Sequence, residues 1–293
     1  MIKTIFVTVI SALLLVSCAL STSSDDNKQK EKQEITIIYT NWAESVAMSH
    51  LAAKLLEDRL GYNVILKLAE IDQVFEEIAK GKADVFPDVW KPATHEEYLT
   101  HYSGKFEDLG ENYINAKTGL AVPDYSELTT IEDLRDRDIV IAGIDSSAGI
   151  MRYTNDAIEI YALNNKLIVQ SDEEMSQMVE DAIRRRNEIV FTGWEPHWLF
   201  HRYDLKYLED SQSVFMEEEQ LHTIARIGFS EEYKTATEFF NRFFFSEREI
   251  NELLYNIKQS GDVIEGVDKW IKDNPFTVNQ WTKNLGRERE KIM

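Results

Sequence analysis

Apolar and polar positions along the first part of the chain switch repeatedly between a strand pattern and a helical period. Short apolar runs bounded by turn residues are typical of buried strands, and apolar residues three or four apart predict helices. In order, the pattern predicts strand 35–40, a helix from about Ser45 to Gly61, strand 63–68, helix 72–80, strand 83–89 and a helix after Pro92. This βαβαβ order predicts an α/β fold with a parallel, doubly wound sheet.

The same plan recurs further along the chain. The predicted elements are strand 118–123, a helix start at Thr130, strand 139–144, a helix to about Tyr161, strand 166–170, helix 171–186 and strand 189–194. A strand over 222–228 precedes a helical remainder, in which Ser246 and Glu249 form a capping box. We therefore expect two lobes: 35–120 plus 226–293 as lobe I, and 121–225 as lobe II.

The residues ahead of the first strand have a different character. Lys3 precedes an apolar run over 5–15, too short and wrongly flanked for a spanning helix and typical of a signal peptide. Leu15-Val16-Ser17-Cys18 resembles the bacterial lipobox, which predicts a lipoprotein signal over 1–17 and lipid attachment at Cys18. The polar stretch 18–34 is expected to be a flexible tether. The alternative is an ordinary secretory signal with an incidental cysteine. Either way, the body is expected outside the cytoplasm: lipid-anchored to the outer face of the cytoplasmic membrane, or in the periplasm.

Composition narrows the function classes. The chain has 293 residues, 43% of them hydrophobic, and a formal net charge of −20, which argues against nucleic acid as a partner. A single cysteine excludes an internal disulfide. There is neither a His-Glu-x-x-His pair nor a Cys/His cluster, and no Gly-x-Ser-x-Gly elbow. We therefore expect no metal site and no cofactor.

Three predicted strands end in a tryptophan: Trp42, Trp90 and Trp194. In open α/β sheets, ligands bind beyond the carboxyl ends of strands. Indole is the best cation–π face, worth about 2 kcal/mol or more when desolvated. A quaternary ammonium donates no hydrogen bonds and is held by such faces. The alternative is that each tryptophan is a core residue.

A second group of residues suits an anion. The segment 145–150 joins a strand to a helix, whose first amides are free donors, and Gly149 allows a close approach to the backbone. His95 follows Trp90 by five residues and is a further donor. The alternatives are a plain β–α turn and a surface or capping histidine. A ligand that satisfies both groups has a cation without donors at one end and a carboxylate at the other, as betaines do.

These motifs resemble those of the glycine-betaine-binding proteins of bacterial ABC importers, over about 35–285. The resemblance is carried by Asn41-Trp42-Ala43-Glu44, Asp84-Val85-Phe86, Trp90-Lys91-Pro92-Ala93-Thr94-His95, Lys117-Thr118-Gly119-Leu120, Gly143-Ile144-Asp145, Gly149-Ile150-Met151, Thr192-Gly193-Trp194 and Pro196-His197-Trp198. It implies a two-lobed class II periplasmic-binding-protein fold with a ligand cleft between the lobes. It also implies an ABC permease and its ATPase as partners.

The resemblance implies roles for individual residues as well. Trp42, Trp90 and Trp194 match the tryptophan box for the trimethylammonium group. Gly149 and Ile150 match the backbone amides that hold the carboxylate, and His95 matches the histidine that assists them. Many relatives have Pro and Gly where this chain has Ser146 and Ser147, which leaves the detail of the anion contacts open.

The expected function is therefore a substrate-binding protein that captures glycine betaine, an osmoprotectant, and is not an enzyme. Choline, carnitine and proline betaine are the alternative ligands. A remote alternative is a lipid-anchored hydrolase that uses His197 and Glu195 with Ser146 or Ser147 as a triad.

Overall fold

The computed structural model describes residues 33–216 and 218–285. The predicted signal peptide, Cys18 and nearly all of the predicted tether lie outside these residues. The strands are β1 (Glu34–Tyr39), β2 (Asn63–Leu68), β3 (Val85–Lys91), β4 (Phe106–Pro123), β5 (Ile141–Ala142), β6 (Leu167–Ile168), β7 (Val190–Glu195), β8 (Leu205–Tyr207) and β9 (Glu219–Arg226).

The helices alternate with these strands in the first two thirds of the chain and then follow one another. They are α1 (Ala43–Leu60), α2 (Ile71–Ala79), α3 (Glu96–His101), α4 (Gly149–Ile160), α5 (Asp172–Arg185), α6 (Trp198–Arg202), α7 (Phe229–Glu232), α8 (Lys234–Phe240), α9 (Glu247–Ser260), α10 (Val263–Asp273) and α11 (Pro275–Thr282). A 3₁₀ turn over Ile131–Leu134 is capped by Thr130.

Strand pairing defines two sheets that share β4. In the first sheet, β1 lies parallel to β2 and β3, and β9 lies antiparallel between β3 and the N-terminal part of β4. In the second sheet, the C-terminal part of β4 pairs antiparallel with β7 and β8, and β5 lies parallel to β6 and β7. The predicted parallel arrangement thus holds for β2-β1-β3 and β7-β5-β6. Each sheet is nevertheless mixed, because β4 and β9 run antiparallel between these groups.

The chain changes sheets within β4 and again ahead of β9. β4 residues up to Ala116 pair with β9, and from Lys117 they pair with β7. Helices α8 to α11 pack against α1 or one another, and α9 also contacts α6. Both changes of sheet come earlier in the chain than the lobe boundaries predicted at 120 and 226. The division into lobes I and II stays a prediction.

The longest strand is also the element that the sequence pattern described least well. Only 118–123 was predicted, whereas β4 begins at Phe106. Its first part contains Glu, Asp, Asn and Gly, and its pairing with β9 shifts register three times, so a clean alternation of apolar and polar residues is absent. The predicted strand 139–144 narrows to β5, and the short elements β8 and α6 were not predicted at all.

The core continues from the sheets into the C-terminal helices. Trp270 and Trp281 are buried and stack with ring centroids 5.6 Å apart, and Phe243 and Phe245 pack on Trp281 edge-on. These two tryptophans are therefore packing residues. Within the described residues, no helix is both long enough and apolar enough to cross a bilayer.

Candidate functional site

One cavity lies at the carboxyl ends of β1, β3 and β7, next to the first turn of α4. The space between its walls, including the solvent at its mouth, is about 290 Å³. All six residues predicted to bind ligand line it. The lining residues are Trp42, Glu44, Trp90, Thr94, His95, Thr118, Ile144, Ala148, Gly149, Ile150 and Trp194.

The three tryptophans reach the cavity from different elements. Trp42 is the N-cap of α1 just after β1, Trp90 lies near the end of β3, and Trp194 lies near the end of β7 opposite Thr118 of β4. Each is less than a tenth exposed. The prediction that strand ends bring the tryptophans together is therefore met by the geometry. Their ligand-binding role stays a prediction.

Each indole N–H of these tryptophans donates a hydrogen bond to the carboxyl group of an acidic residue. The Nε1 atom of Trp42 donates to Asp145 (2.8 Å), that of Trp90 to Asp88 (3.1 Å), and that of Trp194 to Glu44 (2.9 Å). These bonds fix the ring planes. Because the polar edges are engaged, the indole surface left for a ligand is the apolar π face, which suits a cation without donors.

Two of these bonds, Trp42 to Asp145 and Trp194 to Glu44, also join the two sheets across the cavity. Trp42 precedes α1 on the first-sheet side, whereas Asp145 follows β5 of the second sheet. A further hydrogen bond joins the same two sides: Asp172, the first residue of α5, accepts from the backbone N–H of Ala43 at 3.1 Å. The walls of the cavity are thus held together by protein contacts from both sides.

His95 presents an unpartnered donor to the cavity. Its Nδ1 accepts the backbone N–H of Trp90 at 3.0 Å, and its ring packs against Trp42 and Phe75. Burial, with a smaller contribution from Arg152, lowers the pKa of His95 to about 3, so the ring is neutral. Since Nδ1 is the acceptor, the proton is on Nε2. That atom is buried and has no hydrogen-bond partner among the described residues.

The first turn of α4 supplies two further donors. Ala148 is the N-cap and provides no side-chain cap, and the amide of Met151 bonds to the Ala148 carbonyl. The first amides of a helix have no intrahelical acceptor, which leaves those of Gly149 and Ile150 for a ligand. An anion bound there would also gain from the helix dipole.

Gly149 is required for a second reason, in addition to the predicted close approach of a ligand. A Cβ at this position would lie far inside van der Waals contact with the carbonyl oxygen and side chain of Thr94. The glycine therefore lets the start of α4 approach the segment after β3, which puts its amides beside His95. Ser147 instead donates to Asp145 at 2.6 Å, and Ser146 is exposed; neither lines the cavity.

Sequence reasoning missed Glu44 and Thr118. Glu44 is 1% exposed although it is charged in isolation. It lies in the first turn of α1, where an acidic side chain is ordinarily stabilised by the helix dipole. An acidic residue at this position therefore does not indicate a ligand site. Its spacing did carry a signal, because Glu44, Ala47 and Leu51 share one buried face. Thr118 is buried in β4, and its hydroxyl has no partner among the described residues.

The residues of the alternative hydrolase do not assemble. His197 is buried, its Nε2 lies 3.1 Å from Asp172, and its Nδ1 accepts the N–H of Leu199. Both ring nitrogens are therefore engaged within one side of the fold. Ser147 bonds to Asp145, and Ser146 is exposed. The imagined triad of histidine, Glu195 and serine is wrong.

Comparison with known proteins gives consistent matches. Residues 33–273 match the family model of the substrate binding domain of ABC-type glycine betaine transport systems. A glycine betaine/carnitine transport binding protein of Listeria monocytogenes is 37% identical over 148 residues, which are 50% of this chain and 49% of that protein. The chain thus spans about half the length of this curated relative.

Two solved structures extend the comparison to the fold. The lactococcal OpuAC protein, closed around glycine betaine, superposes with a TM-score of 0.79 at 30% identity, covering 86% of this chain and all of that one. An ABC-transporter choline-binding protein in complex with choline gives 0.76 at 25% identity, covering 86% and 94%. The fold is therefore the mixed α/β periplasmic-binding-protein fold, as the resemblance implied.

Proposed function

The chain belongs to the family of substrate-binding domains of ABC-type glycine betaine transport systems, and we propose that its own ligand is glycine betaine. The family consists of binding proteins and not of enzymes. One observation carries the proposal: the cavity combines three indole faces, whose N–H edges are engaged, with three unpartnered or free donors. These donors are the Nε2–H of His95 and the amides of Gly149 and Ile150.

The chemistry of glycine betaine complements both groups. Its trimethylammonium end has no donors and is held by Trp42, Trp90 and Trp194. Its carboxylate accepts from His95 and from the start of α4. Because the donors and the aromatic faces come from both sheets, the bound ligand bridges the two sides of the cavity. Ligand binding is then expected to favour the closed arrangement.

The alternative ligands differ in which groups they leave unsatisfied. Choline lacks the carboxylate, so His95 and the helix amides would stay without an anion, at a cost of about 1–3 kcal/mol for a buried unsatisfied group. Carnitine and proline betaine keep both ends but are larger molecules than glycine betaine. This ranks glycine betaine first and choline last.

Calorimetric titration of the purified chain with glycine betaine, proline betaine, carnitine and choline tests the proposal. We expect saturable binding of glycine betaine with choline much weaker. Preferential binding of choline would keep the aromatic site but reject the carboxylate site. Absence of binding to all four ligands would reject the proposed function.

We also propose that the protein delivers its ligand to an ABC permease with an ATPase subunit, from a position outside the cytoplasm. The predicted lipid at Cys18 would hold it at the membrane surface. Fractionation of cells that produce the wild type or Cys18→Ser tests the anchor. Membrane-bound wild type and released variant are expected, and identical distributions would contradict it.

A further inference from the structure

Glu44 is the only acidic side chain among the described residues that line the cavity. Glu44 as a whole is 1% exposed, and its Oε2 accepts the Nε1–H of Trp194 at 2.9 Å. It therefore lies at the edge of an indole whose face is assigned to the trimethylammonium group. A permanent cation that enters this site comes close to a buried carboxyl group, and no lysine or arginine of the described residues forms an ion pair with that group.

Other titratable groups surround the same cavity. They are Asp88 on β3, which is buried behind Trp90, Asp172 at the start of α5, Asp145 after β5, and the histidines His95 and His197. Burial raises the pKa of Glu44 to about 8, the negative charge of Asp172 adds to this, and the bond from Trp194 opposes it. Without ligand, Glu44 is thus largely protonated at neutral pH.

We propose that Glu44 is the counter-charge of the bound cation, and that capture of a quaternary ammonium expels the carboxyl proton of Glu44 to solvent. The inference rests on the proposed function and adds a specificity determinant to it. Only the O–H bond of Glu44 breaks, and the ligand is chemically unchanged. A cation beside a carboxyl group in a dry cavity favours the ionised form. Ionised Glu44 also strengthens its bond from Trp194.

The direction of the pH dependence follows from this step. The complex holds fewer protons than the free protein, so affinity rises with pH below about pH 8 and levels off above it. One released proton sets a limit of about tenfold in affinity per pH unit. His95 acts in the opposite direction: a bound carboxylate raises its pKa from about 3 and causes proton uptake at acidic pH. Proton release on binding therefore indicates Glu44, and proton uptake indicates His95.

Calorimetry of the full chain with glycine betaine, from about pH 6 to about pH 9 in two buffers of different ionisation enthalpy, counts the protons. We expect release of up to one proton near neutral pH and none at the alkaline end. Glu44→Gln keeps an acceptor for Trp194 but cannot ionise. It should bind without proton release, with a flat pH profile at the level of the acidic limit of the wild type.

The matched control is Glu195→Gln. Glu195 is the neighbour of Trp194 on β7, and burial also raises its pKa, but it does not line the cavity. This variant should keep the wild-type profile. Proton release that persists in Glu44→Gln, or that disappears only in Asp88→Asn, would overturn the inference.

The wild-type measurement decides the question even if a variant does not fold. Binding of glycine betaine with no proton release between about pH 6 and about pH 8 would overturn the role of Glu44 and leave the proposed function intact. Absence of binding at every pH would overturn both.

Discussion

The substitution His95→Asn separates the two hydrogen bonds assigned to His95. The asparagine Oδ1 can accept the backbone N–H of Trp90 as Nδ1 does, at 3.0 Å in the structure, but no atom of asparagine reaches the position of Nε2. The variant therefore preserves the support of Trp90 and removes only the donor in the cavity. His95→Ala removes both hydrogen bonds. The difference in ligand affinity between the two variants therefore measures the contribution of the bond from Trp90 N–H.

The expected loss follows from the ligand charge. A hydrogen bond to a charged group contributes about 1.5–3 kcal/mol, which corresponds to about 10- to 150-fold in affinity for glycine betaine. Choline has no carboxylate and cannot form this hydrogen bond, so its affinity should change little in His95→Asn. Because burial holds the pKa of His95 at about 3, the donor is the neutral ring, and the loss should be the same at neutral and mildly alkaline pH.

Calorimetric titration of the wild type and His95→Asn with both ligands measures the effect. A loss confined to glycine betaine supports the assignment of His95 to the carboxylate. Equal losses for glycine betaine and choline would refute it, since they would place His95 beside the cation or in a purely structural role.

Three further substitutions test other parts of the account. Trp90→Ala should weaken glycine betaine at least about tenfold, because it removes a desolvated cation–π face, and unchanged affinity in calorimetry would exclude Trp90 from the site. Gly149→Ala should displace the start of α4 from Thr94 and weaken binding, and a wild-type dissociation constant would show that the close approach is dispensable. Trp270→Ala should lower the free energy of unfolding by about 3–5 kcal/mol, because the side chain is fully buried against Trp281, while affinity in the folded protein stays unchanged; denaturant unfolding and calorimetry check both parts.

The parts of the site that the sequence revealed are those with a local signal. Trp42, Trp90 and Trp194 each follow an apolar run that predicts a strand. In an α/β fold the carboxyl ends of such strands meet at a ligand site, so the three side chains are expected to lie close together. Gly149 and Ile150 follow from a strand-to-helix turn. These signals lie within a few residues of each side chain, which is why one sequence suffices to find them.

The missed features depend on tertiary contacts. No local pattern pairs Trp194 with Glu44, or Trp42 with Asp145, since these partners are 150 and 103 residues apart. Similarly, the first part of β4 is a strand because β9 pairs with it, although its own residues are largely polar. The contact between Gly149 and Thr94 likewise joins two segments that the sequence treats as unrelated turns.

The central claim is an orientation: the cation lies among the tryptophans and the carboxylate lies at the start of α4. A crystal structure of the chain grown with glycine betaine tests it most directly. The account predicts the trimethylammonium group between the faces of Trp42, Trp90 and Trp194, with the carboxylate within hydrogen-bond distance of His95 Nε2 and the amides of Gly149 and Ile150. A ligand bound in the reverse orientation, or outside this cavity, would contradict it.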